Sequence, residues 1–158
     1  MSGTWTTEPY EAEDGTMPFE RFVNDLSHFK FRALHTAIDR VLSVRGIDLV
    51  RTEWLTALGK GLHELRVRHD ADEIAHMFGG APPEIGTPSE KVLLRVFVHF
   101  YGDMVILLLG GYDKGADSTK RRQQREIAEA RRLLAEFAER RRRERGQASR
   151  LKNHKRRD

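Results

Sequence analysis

Polar and acidic residues fill positions 1–16, and regular apolar patterning begins at Pro18, a residue suited to the first turn of a helix. Phe19, Phe22, Val23 and Leu26 then recur at helical spacing. Leu34, Ile38, Val41 and Leu42 form a second helical face, with Arg45 in its last turn and Gly46 as the stop. The break around Ser27–Lys30 predicts two helices, at about 18–27 and 30–45. Trp54, Leu55 and Leu58 lead into the turn signal Gly59-Lys-Gly61, and a strand over Leu62–His69 follows. Strand side chains alternate, so Leu65 and Val67 share one face, while Glu64, Arg66 and Arg68 share the other. Residues 70–90 carry Gly79-Gly80, Pro82-Pro83, Gly86 and Pro88, which predicts a long loop with one short helical turn at Asp72–Phe78.

A second strand spans Val92–Tyr101. Val92, Leu94, Val96, Val98 and Phe100 make its apolar face, and Leu93, Arg95, Phe97, His99 and Tyr101 the other. Gly102-Asp103 reads as a tight hairpin turn into the uniformly apolar strand Met104–Leu109, which Gly110-Gly111 is expected to end. A last helix begins near Ser118; Ile127, Ala130, Leu134 and Phe137 give it a stripe that docks on the domain and stops at Ala138. Thr4-Trp-Thr-Thr carries a weak edge-strand signal, so a further strand from the N-terminus is a possible addition to the sheet. The expected architecture is α+β in two layers: helices on one face of an antiparallel meander, the other face open.

Charge sharpens this picture. Lys120–Asp158 holds 16 of the 28 Lys and Arg and 6 of the 24 Asp and Glu, a net of +10 that leaves −6 on residues 1–119. The C-terminal quarter is therefore a long-range handle for an anionic partner. Arg66, Arg68, Arg95 and Lys114 lie on or beside consecutive strands, opposite the apolar face, an arrangement suited to a polyanion. The chain has no cysteine, which excludes disulfides and thiolate metal sites and suits a reducing cytoplasm. No stretch approaches the roughly 20 apolar residues of a membrane span, and the N-terminus lacks a signal-peptide pattern, so a cytoplasmic protein without membrane association is expected. His69-Asp-x-Asp-Glu-x-x-His76 matches no standard metal-ligand spacing and reads as a surface turn.

Four segments in this order resemble the RelE/ParE toxin superfamily, in its HigB-like, phage-related ribonuclease branch. They are Gly61-Leu-x-Glu-Leu-Arg66, Leu94-Arg-Val-Phe97, Leu107-Leu-Leu-Gly-Gly-Tyr-x-Lys114 and Lys120-Arg-Arg-Gln-Gln-Arg-Glu-Ile-x-x-Ala130. The resemblance covers roughly residues 18–138. It implies a RelE-like toxin domain over 1–138; the basic composition of 139–158 reads as a partly disordered extension. It implies the toxin of a bacterial type II toxin–antitoxin pair, held by a helix-turn-helix antitoxin protein and cleaving mRNA on translating ribosomes. His63 stands where the family motif has Trp or Tyr, the loop over 70–90 is longer than in the shortest relatives, and the basic tail is an addition.

Carried over by position, the working residues are Arg66, Arg95, and Lys114 with Tyr112. RNA cleavage without metal or other cofactor requires deprotonation of the 2′-hydroxyl, neutralisation of the phosphorane and protonation of the leaving 5′-oxygen. Arg66 and Arg95 suit the second task, since a guanidinium stays charged and forks onto phosphate oxygens. His99, Glu64 and Tyr112 are the alternatives for base and acid, with Glu64 also readable as half of a surface ion pair. Arg68, Lys120, Arg121 and Arg122 are the expected RNA-binding cations. Two readings compete: a gyrase-poisoning toxin on the same fold, which needs no RNA-cleaving groups, and a basic nucleic-acid-binding module.

Overall fold

The computed structural model describes residues 4–80 and 90–157. The chain begins with strand β1 (Thr6–Pro9), helix α1 (Pro18–Asn24) and helix α2 (His28–Ala37). Helix α2 opens on Ser27, whose hydroxyl accepts from the Lys30 backbone N–H, the device that splits the long apolar segment into two helices. It continues through a π-type turn, Ile38–Leu42, into the short α3 (Ser43–Arg45). Gly46 ends the run with a positive φ of 51°. A side chain there would start 2.1 Å from the Trp5 indole nitrogen, so only glycine allows Trp5 to close on this helix end.

The sheet follows: β2 (Leu55–Gly59), β3 (Leu62–Val67), β4 (Leu94–Tyr101) and β5 (Val105–Asp113), with α4 (Ala71–Met77) between β3 and β4. Asp70 and Glu73 close a reciprocal capping box on α4, inside the segment read as a loop with one helical turn. The loop signals Pro82-Pro83, Gly86 and Pro88 lie outside the described residues. Helix α5 (Lys120–Arg157) ends the chain.

The strand order is β1-β5-β4-β3-β2, with β1 parallel to β5 and every other pair antiparallel. The sheet is thus five-stranded and mixed, where a purely antiparallel meander was expected. From β1 the chain crosses one face as α1–α3, enters the far edge as β2 and meanders back to lie beside its own start. Strand β2 escaped the sequence pattern because a register shift between Ala57 and Gly59 breaks its alternation. The β4–β5 turn has three residues, with Gly102 and Met104 both at positive φ.

Both faces of the sheet are covered, which corrects the two-layer expectation. Val92, Leu94, Val96 and Val98 join Ile106, Leu108, Leu65 and Val67 against Phe19, Phe22 and Leu34 of the N-terminal helices. Leu62, Phe97, Leu107, Leu109 and Tyr112 pack on the other face beneath Ala130, Leu133 and Leu134 of α5. The apolar stripe of α5 required a second apolar surface, since α1 and α2 already occupy the first. The N-terminal segment clamps this helix: the Tyr10 hydroxyl donates to Glu136 Oε1 at 2.5 Å, and Arg140 Nη1 to the Glu11 carbonyl at 2.8 Å. Residues 139–157, expected as a partly disordered extension, continue α5 without a break. Among the described residues no helix is long and apolar enough to cross a membrane.

Candidate functional site

Strand register sets out the site. Arg66 on β3 lies opposite Arg95 on β4, and Arg95 lies opposite Tyr112 on β5, so the three form one row across the sheet. Neighbouring strands are about 4.8 Å apart, so the row is about 10 Å wide. Tyr112 reaches this face through a bulge. Phe97 pairs with Gly110 and Val98 with Leu108, which leaves Leu109 unpaired and reverses the alternation beyond it. Leu107, Leu109 and Tyr112 therefore all face α5, while Gly111 faces α1. A Cβ on Gly111 would lie 2.6 Å from the Arg95 carbonyl oxygen and 2.8 Å from the Phe22 ring, so the bulge requires glycine there.

Glu64 sits one row inward, opposite Phe97. Its Oε1 accepts from Arg66 Nε at 3.3 Å and faces Arg95 Nε at 3.5 Å. The second contact lacks hydrogen-bond geometry, so the two groups attract as charges only. Glu64, Arg95 and Tyr112 are 1%, 3% and 1% exposed. Glu64 Oε2, Arg95 Nε and the Tyr112 hydroxyl are all buried without a hydrogen-bond partner among the described residues. Three orphaned polar atoms converging on one place are costly in a finished core and are the mark of a site built to receive a polar group.

Burial, followed by the nearby Glu64 carboxylate, raises the Tyr112 phenol above its ordinary range, so it is a neutral proton donor at pH 7. Burial also pulls Arg95 downward, opposed by Glu64, yet a guanidinium remains charged. Lys114, half-buried just past β5, is lowered by burial and then by the charge on Arg95, with Arg66 and Arg68 adding to it. Lys114 thus lies within electrostatic reach of Arg95, Arg66, Arg68 and the Glu64 carboxylate.

The expected residues therefore divide. Arg66, Arg95, Lys114, Tyr112 and Glu64 come together. Arg95 and Glu64 are buried, however, where an open cationic face and a surface ion pair were expected. Alternation reveals which face a side chain takes, not what covers that face. Arg68 is exposed just beyond β3, and Lys120 and Arg121 are exposed on the first turn of α5, whose positive helix end adds to the field. Arg122 lies over the Tyr112 ring at 5.5 Å, held by Glu126, which accepts from its Nε at 2.8 Å. The sequence reading missed Glu126; its i,i+4 spacing from Arg122 was the available signal.

His99 does not join the site. It lies four residues along β4 from Arg95, about 13 Å away. Its Nδ1–H donates to the Gly61 carbonyl at 2.8 Å, and Phe137 packs on its ring. It locks the β2–β3 turn to the sheet. His63 points to the opposite face, with its ring edge-to-face on Phe100. His69 contacts Glu53 and Glu73, and Asp70 caps α4, so these residues have local structural roles. A groove of about 590 Å³ runs along the outer edge of β5 between α1 and α5, lined by Arg21, Asp25, Gly111, Tyr112, Arg122 and Glu126. It shares Tyr112 with the row but excludes Arg66, Arg95 and Lys114, so the groove and the charged cluster are adjacent features.

No protein-family model, curated protein or solved structure matches this chain.

Proposed function

We propose that this chain is a metal-independent endoribonuclease that cleaves mRNA on translating ribosomes, as the toxin of a bacterial type II toxin–antitoxin pair of the RelE/ParE kind. The observation that carries the reading is the buried cluster itself: a carboxylate, a guanidinium and a phenol with unpaired polar atoms, flanked by half-exposed Arg66 and Lys114. In the proposed reaction the 2′-oxygen attacks phosphorus and its proton passes to Glu64. Arg66 and Arg95 hold the phosphorane oxygens, and Lys114 adds charge at the strand end. The P–O5′ bond breaks, and the leaving oxygen takes the Tyr112 proton, which solvent replaces. The products are a 2′,3′-cyclic phosphate and a 5′-hydroxyl. Arg68, Lys120 and Arg121 grip the flanking phosphates. The cognate antitoxin, a helix-turn-helix protein, would neutralise the activity.

The test uses purified chain and programmed ribosomes, with both ends of each cut mapped. The reading expects cyclic-phosphate and 5′-hydroxyl ends. Intact mRNA, or 5′-phosphate ends, would remove it. Intact mRNA with broken gyrase-linked DNA would establish the gyrase alternative instead.

A further inference from the structure

Helix α5 has 38 residues and is about 57 Å long, but the domain covers only its first two-thirds. Where the helix leaves the sheet, Arg140 donates to the Glu11 carbonyl and Arg143 pairs with Glu13. From Glu144 to Lys155 every residue is exposed. The face that docks on the sheet, Ile127, Ala130, Leu134 and Phe137, continues along the same side of the helix as Arg141, Arg145, Lys152 and Lys155. One stripe thus changes from apolar to cationic where the sheet ends. Arg145, Lys152 and Lys155 have no ion-pair partner among the described residues.

We infer that this exposed arm is a docking rod for double-helical RNA, bound through its phosphates. A helix meant for another protein would keep an apolar stripe, and here Leu151 alone is large and apolar. The arm carries no Phe, Tyr or Trp, which single-strand binding uses for stacking. A straight row of cations suits a rigid duplex, which presents about one charge per 1.7 Å of axis. Choosing RNA over DNA rests on the ribonuclease reading. From Arg122 to Arg145 the helix rises about 35 Å. The arm therefore holds a duplex well clear of the Arg66–Arg95–Tyr112 row and leaves that row free for a separate strand. It is an anchor on structured RNA, with no part in bond cleavage.

The test is direct titration of the full chain into a fluorescent RNA hairpin at several salt concentrations, compared with two variants of equal charge change. Arg145→Gln with Lys152→Gln removes two stripe cations; Arg142→Gln with Arg150→Gln removes two from other faces. Gln has nearly the helix propensity of Arg and Lys, and circular dichroism verifies retained helix. The stripe pair should flatten the slope of log affinity against log salt by about 1.8, since each phosphate contact contributes about 0.9, and so weaken binding roughly 60-fold at 0.1 M salt relative to the 1 M limit. The control pair should change the slope by well under half as much, and restoring charge with Arg145→Lys and native Lys152 should recover binding. Equal losses in both pairs, or none in either, overturns the stripe. Equal or tighter binding to a DNA duplex of the same sequence overturns the RNA assignment. Arm-dependent hairpin binding by a chain that leaves mRNA intact on programmed ribosomes would remove the ribonuclease reading and leave the anchor standing.

Discussion

Replacing Tyr112 with Phe separates the stability of the site from its chemistry. The ring is 1% exposed, stacks on Phe97 with centroids 6.2 Å apart, and lies under the Arg122 guanidinium. Phe keeps all of that packing. Only the hydroxyl is lost, and it has no hydrogen-bond partner among the described residues. A buried polar group without a partner costs about 1–3 kcal/mol, so its removal should leave stability unchanged or raise it by up to that amount. For a chain of this size each kcal/mol moves Tm by about 2–4 °C. Activity should move in the opposite direction. Loss of a positioned proton donor costs about 10²–10⁴ in rate, so cleavage of ribosome-bound mRNA under single-turnover conditions should fall by at least about a hundredfold. Calorimetry and a quenched cleavage assay on the same preparation measure both. A Tm lowered by several degrees would mean that the hydroxyl is structurally paired. Unaltered cleavage in a stable variant would remove Tyr112 from the chemistry.

Arg95→Ala should destabilise the fold by less than the about 3–5 kcal/mol of an unpaired buried charge, since the Glu64 carboxylate loses one guanidinium but keeps Arg66, and denaturant titration measures this. Pairing it with Glu64→Ala should recover a large part of that loss; a strictly additive double variant would show that the two do not interact. Gly111→Ala should cost roughly 1–3 kcal/mol by forcing the bulge against Phe22 and the Arg95 carbonyl; a neutral effect on Tm would mean that the bulge yields freely. All three tyrosines, Tyr10, Tyr101 and Tyr112, are raised, in each case first by burial. The folded state therefore holds these protons more tightly than the unfolded state. Its stability should be fully present below about pH 10 and decline as pH rises through the folded values. Tyrosinate absorbance should lag a free tyrosine and appear with unfolding; normal titration of all three in the folded protein would contradict the burial.

Much of this was legible because periodicity carries face and element. The helices over 18–45, the strands beginning at Leu62 and ending at Tyr101, and the α5 stripe all follow from spacing. So does the sharing of one face by Glu64, Arg66 and Arg95. What escaped has local physical causes. Gly110-Gly111 reads as a terminator, yet the pair lets β5 bulge and continue to Asp113, and that bulge brings Tyr112 beside Arg95. Arg95 reads as exposed because a strand's polar face is ordinarily solvated; alternation assigns the face and not its burial. His99 shares the alternation of Arg95 and so appeared equivalent to it. Only the register places it beside Gly61 and under Phe137. The pairing of β1 with β5 joins segments about 100 residues apart, and no local pattern encodes such a contact.

The proposed function requires that the Arg66–Arg95–Tyr112 row and Glu64 cut RNA. Mapping RNA 5′ ends across the transcriptome after brief induction in bacteria tests it most directly, with Tyr112→Phe induced to the same level in parallel. The account predicts new 5′-hydroxyl ends inside translated reading frames for the wild-type chain, accompanied by growth arrest, and their near disappearance in the variant. Growth arrest with intact mRNA and broken chromosomal DNA, or identical cuts from wild type and variant, would contradict it.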